Sequence, residues 1–130
     1  MVKNIDFFGE NTEFDHLGLV VKSIKDIDPT ISIIYDKNQH VNVAFTLING
    51  VNFEYIEPID ETSPVYSLIK NPNKIAHVCY KVDNIFNSIK LARTNGFLCI
   101  RQPIEAIAFN NKLISFVAHK HFGIIELVEK

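Results

Sequence analysis

Apolar residues alternate or cluster in short runs along most of this chain, and the runs fall into an order that repeats. Residues 14–21 read as a strand with both faces apolar, so something must cover each side. Further strands are predicted at 31–35, 41–48 and 51–57, with Asn49-Gly50 as a hairpin turn between the last two. A short connecting helix follows at 63–70, with Ser63 as N-cap and Pro64 at the first helical position. A strand at 77–82 comes next, then a helix capped by Asp83 or Asn84 that runs to Thr94. It has Ile85, Ile89 and Ala92 on one face and Gly96 as its stop. Strands near 97–101, 112–118 and 123–129 complete the chain. The order is strand, helix, three strands, written twice. In the first copy Ile27-Asp28-Pro29 leaves room for about one helical turn, so that helix is truncated.

The repeat is also one of letters. HLGLVVKSI at 16–24 is echoed by HVCYKVDNI at 77–85, and FEYIE at 53–57 by IELVE at 125–129. Strand parity makes the echo chemical, because successive side chains point to opposite faces. His16 shares a face with Gly18 and Val20, and His77 with Cys79, while Glu54 and Glu126 each face away from their apolar neighbours. Two such modules packed about a pseudo-twofold axis bring His16, Glu54, His77 and Glu126 to one face and leave the other apolar for helices to cover. An unpaired carboxylate between hydrophobic neighbours is costly. Two imidazoles with two carboxylates suit one divalent ion such as Zn, Ni, Co or Mn. His119 and His121 alternate in a strand-to-strand turn and read as surface residues; His40 reads as a loop residue. Cys79 reads as a small buried hydrophobe beside the site.

Composition narrows the classes. At 130 residues, with 47% hydrophobic and 22% charged residues, the chain has the size and make-up of one globular domain, here residues 1–130. Module one is expected at about 14–58 and module two at about 75–129. A net charge of −2 offers no basic face for nucleic acid. No apolar run is long enough for a membrane span, and the N-terminus does not read as a signal peptide. Two cysteines point to no disulfide framework and to a reducing, cytoplasmic setting.

These segments resemble the vicinal oxygen chelate superfamily, which includes glyoxalase I, methylmalonyl-CoA epimerase, ring-cleaving dioxygenases and bleomycin and fosfomycin resistance proteins. FDHLGLVVKSI is similar to the opening strand of that family, KIAHVCYKVDNI to the first strand of its second module and FGIIELVEK to its closing strand. VNFEYIEPIDETSPVYSLIKN is similar to the epimerase segment carrying the second ligand. The resemblance implies an α+β fold: two βαβββ modules in a curved, mostly antiparallel eight-stranded cup with helices on its convex side. It implies His16, Glu54, His77 and Glu126 as ligands of one divalent ion, with Glu126 and Glu54 as catalytic carboxylates. It implies a small-molecule substrate, an acyl thioester or a hemithioacetal, and a homodimer.

The implied chemistry is proton transfer through an enolate or enediolate of a thioester-type substrate, as in methylmalonyl-CoA epimerase. The alternatives are glyoxalase I-type (lactoylglutathione lyase) isomerisation and a non-catalytic small-molecule binding or resistance protein. A dioxygenase site prefers two histidines and one carboxylate, so the extra acid at Glu54 argues against it. The chain also departs from the family: its turn before the last strand reads AHKH at 118–121, and no acid stands in 41–45. A two-base epimerase must therefore use Glu54 and Glu126 themselves.

Overall fold

A computed structural model describes residues 1–130. Its eight strands are β1 (Glu13–Val20), β2 (Ile34–Asp36), β3 (Val41–Ile48), β4 (Val51–Pro58), β5 (Ile75–Val82), β6 (Leu98–Ala106), β7 (Lys112–His119) and β8 (Gly123–Glu129). Helix α1 (Ile24–Ile27) follows β1, and helix α2 (Ile85–Thr94) follows β5. All eight strands form one curled sheet in the order β2-β3-β4-β1-β5-β8-β7-β6. Each module is thus β, α, β, β, β, with its first strand parallel to its fourth. The two modules meet where β1 runs antiparallel to β5. This is the expected α+β architecture, with the helices on the convex side.

Local chemistry explains the elements. Asn84 caps α2, its side-chain oxygen accepting from the Asn87 amide at 3.0 Å. Ile85, Ile89 and Ala92 then face inward, and Gly96 ends the helix at φ +90°. With Val82, Phe97, Val117, Ile125 and Leu127 they form the convex core of module two, where each fully buried large aliphatic contributes about 1.5–3 kcal/mol. Module one has only the single turn of α1, capped by Ser23. Its convex face is finished by Ile24 together with Ile31 and Ile33, packed on Ala44 and Tyr55. Those two isoleucines account for a correction: the strand expected at 31–35 begins only at Ile34, because Ile31 and Ile33 serve as cover. Asn49 and Gly50 have φ of +49° and +84°, as the predicted hairpin turn requires.

The connecting helix also differs from expectation. It is a 3₁₀ turn over Tyr66–Lys70, and Ser63 does not cap it. The Ser63 hydroxyl is buried without a partner, while Asp60 accepts from both the amide and the hydroxyl of Thr62 in a tight turn that uses up the preceding residues. A second 3₁₀ turn, Ile107–Phe109, lies between β6 and β7 and was not signalled by the sequence. Near the N-terminus Phe7 and Phe8 pack onto the convex core of module two. No helix is long and apolar enough to cross a membrane.

Candidate metal centre

The four central strands, β4-β1-β5-β8, each contribute one residue to the concave face. The register sets the pattern. Gly18 is the partner of Glu54 on β4 and of His77 on β5, and Cys79 is the partner of His16 on β1 and of Glu126 on β8. Each module therefore repeats one arrangement: a histidine, then two residues later the position that faces the module's own glutamate and the other module's histidine. His16, Glu54, His77 and Glu126 are all buried, between 0% and 6% exposed.

Their donor atoms converge. Nε2 of His16 lies 3.2 Å from Oε1 of Glu54 and 3.2 Å from Oε1 of Glu126. Nε2 of His77 lies 3.6 Å and 3.0 Å from the same two oxygens, and the two Nε2 atoms are 3.3 Å apart. Ligands about 2.1 Å from a common ion stand about 3.0 Å apart at a right angle and about 3.4 Å apart at the tetrahedral angle. Four of the five observed spacings fall within that range, and the fifth, His77 to Glu54 at 3.6 Å, lies just beyond it. Oε1 of Glu126 is moreover buried and accepts no well-directed hydrogen bond, its nearest polar neighbours being the two imidazole nitrogens at 3.0 and 3.2 Å, an arrangement that a cation between them would complete. The donor set and its spacing thus fit a divalent ion held by all four side chains.

The electrostatics agree. Burial pulls His16 down, but Asp15, then Cys79, Glu126 and Glu54 outweigh it and raise its pKa. His77 behaves alike: burial is overcome by Glu126 and Glu54, and its pKa rises to about 9. Burial would lift Glu126, yet His77 and His16 hold it down to about 2. The Cys79 thiol is pushed up by burial and by Glu126, so it stays protonated beside the carboxylates rather than competing as a thiolate.

Four features around the centre were not read from the sequence. Asp15 Oδ2 lies 2.7 Å from Nδ1 of His16, which fixes the proton on Nδ1 and leaves Nε2 as the donor atom. Parity alone would send Asp15 to the other face; the β1–β5 register skips between Phe14 and His16, and this bulge brings Asp15 round. Gly18 leaves room for the His77 ring; an isolated glycine in an apolar strand was the available signal. Phe109 stacks on His16 at 5.6 Å and closes the back of the site. Arg101 lines the cavity at the front.

That cavity has a volume of about 320 Å³, and Glu54, His77 and Glu126 form its floor beneath largely apolar walls. His40 sits in the turn before β3, 3.1 Å from Asp60, away from the centre. His121 is exposed, but His119 is half-buried, 4.9 Å from Phe97 and 4.9 Å from Phe122. It is a packing residue rather than a surface one.

Residues 15–116 match the Glyoxalase/Bleomycin resistance protein/Dioxygenase superfamily. The chain belongs to that superfamily. Among relatives, it is 25% identical over 126 residues to the uncharacterized protein YqjC of Bacillus subtilis (strain 168), covering 88% of this chain and 90% of that one. The crystal structure of hypothetical protein BH1468 from Bacillus halodurans C-125 superposes with a TM-score of 0.74 at 25% identity, covering 93% of this chain and 96% of the other. Methylmalonyl-CoA epimerase from Mycobacterium tuberculosis superposes with a TM-score of 0.69 at 18% identity, over 89% and 86% of the two chains. Glyoxalase/bleomycin resistance/dioxygenase membership thus accounts for the fold.

Proposed function

We propose that the protein is a metal-dependent enzyme that moves a proton at the carbon next to a thioester carbonyl, in the manner of an epimerase. The observation that carries this reading is the buried two-histidine, two-glutamate cluster, three of whose members form the floor of a largely apolar cavity. The fold likeness to methylmalonyl-CoA epimerase supports it. A divalent ion held by His16, Glu54, His77 and Glu126 would supply a Lewis acid that draws charge onto the substrate oxygens.

The side chains divide the remaining work. Glu54 and Glu126 stand on β4 and β8, the outer two of the four central strands, and so would flank a substrate held at the centre. Glu126 would take the proton from one face as general base, and Glu54 is the group placed to handle the proton on the other. Val41, Val43, Ile56 and Phe116 keep water from the carbanionic carbon while it lacks its proton.

The test is metal content of protein purified without added metal, followed by exchange of the α-proton in deuterated water with a panel of acyl-CoA thioesters and hemithioacetals. Metal-dependent exchange of a thioester proton supports the epimerase reading. Turnover confined to hemithioacetals replaces it with the glyoxalase I-type isomerisation. A tightly held small molecule with no exchange replaces it with a binding protein.

A further inference from the structure

The front wall of the cavity carries one basic side chain, Arg101 on β6. Its presence there depends on a local break in the sheet. Cys99 pairs with Val117, but Arg101 pairs with Phe116, so Ile100 is an extra residue in β6. Cys99 packs with the convex core. In a regular strand Arg101, two residues on, would share that face; the bulge turns it onto the concave face instead. The bulge is pinned from beneath, since the buried Ser115 hydroxyl donates to the Arg101 carbonyl at 2.6 Å.

Arg101 takes part in none of the chain's ion pairs; its one recorded guanidinium bond is from Nη2 to the Asn38 carbonyl at 3.2 Å. An arginine has five N–H donors, so most of its fork is unused. Arg101, Phe116 and Glu126 are successive partners across β6, β7 and β8, which places the α-carbons of Arg101 and Glu126 about 10 Å apart. Charge points the same way. Two carboxylates cancel a divalent ion, and the half-buried guanidinium then leaves the cavity with one surplus positive charge.

We propose that Arg101 recognises a carboxylate on the substrate, several bonds from the oxygens that face the metal cluster. The protein would thus select substrates that carry a distal carboxylate over those that lack one there. This rests on the metal-centre reading above and narrows its substrates.

Calorimetric titration of the zinc-loaded protein with two probes tests it. 2-Oxoglutarate and 2-oxovalerate share the chelating end, and only the first has a distal carboxylate. Wild-type protein should bind 2-oxoglutarate about 10- to 100-fold more tightly. Arg101→Gln should bring the two affinities within about twofold, and Arg101→Lys should leave an intermediate ratio, with far-ultraviolet circular dichroism verifying that both variants fold. A preference that survives Arg101→Gln, or its absence from wild-type protein, overturns the assignment. The metal reading fails separately, if removing zinc leaves 2-oxovalerate affinity unchanged; the Arg101 assignment is then judged by the same ratio in zinc-free protein.

Discussion

The imidazole of His77 occupies the space in which Gly18 has no side chain: a β-carbon on Gly18 would stand 2.6 Å from Nε2 and 2.9 Å from Nδ1. Contacts that close force the ring away from the cluster, because the competing atoms are backbone-borne and cannot yield. Gly18→Ala should therefore lower metal affinity by at least about tenfold, while adding only one methyl group to a strand. Competition with a chromophoric chelator would measure this. Wild-type affinity in the variant would show that the ring's position does not govern binding.

Asp15 is expected to act through His16. Asp15→Asn exchanges a charge-assisted acceptor at 2.7 Å for a neutral amide. The loss of a carboxylate behind a ligating histidine costs about 10- to 100-fold in metal affinity. The same chelator titration reads it, and the metal-free melting temperature serves as control for folding. Unaltered metal affinity would reduce Asp15 to an ion-pair partner of Lys81, whose Nζ lies 3.8 Å from Oδ1.

The metal-free protein should be most stable in mildly acidic solution. His77, raised from 6.5 to about 9, contributes stability that is complete below pH 6.5 and lost as the pH rises through about 9. Glu126, lowered from 4.5 to about 2, contributes above pH 4.5 and loses its share as the pH falls towards 2. Both shares are present between about pH 4.5 and 6.5, where melting curves of chelator-treated protein should peak. Metal binding requires neutral imidazoles, so at neutral pH it must release the protons held by both His16 and His77, and affinity must climb with pH through about 9. Calorimetry in two buffers of different ionisation enthalpy would count the protons; zero release at pH 7 would contradict the raised pKa.

The two glutamates should part company under substitution. Gln keeps the shape and one oxygen donor but cannot accept a proton at useful pH. Glu126→Gln should lose about 10²- to 10⁴-fold in turnover while keeping some metal. Glu54→Gln should do less damage to metal binding and should stop exchange on one stereochemical face alone. Following α-proton exchange from each stereoisomer separates these outcomes. Undiminished exchange in Glu126→Gln would remove it as the base.

Parity made the central residues legible. A two-residue period fixed the faces of His16, Glu54, His77 and Glu126 without any knowledge of the fold, and the repeat paired them. The features that parity missed are places where the period breaks. The bulge at Asp15 and the bulge at Ile100 each turn a side chain onto a face that counting assigns elsewhere. Bulges arise from the pairing of one strand with another, so neither strand's own letters announce them. Phe109 was hidden for a related reason, since the 3₁₀ turn that carries it acquires a role only when it lies against His16. The connecting segment failed differently: Ser63-Pro64 has the letters of a helix start, but Asp60 and Thr62 form their own turn just before it.

Because β8 docks parallel to β5 across a long crossover, the fourth donor arrives with the last strand of the chain. Pairings so distant in sequence are slow to form, because loop closure precedes the contacts that reward it. An ion bound at this centre therefore cannot template the chain's collapse; it can only lock what has already assembled. Its effect should fall on the escape from the native state, slowing unfolding while leaving the refolding rate almost untouched. The centre would act as a kinetic clasp across the seam between the two halves.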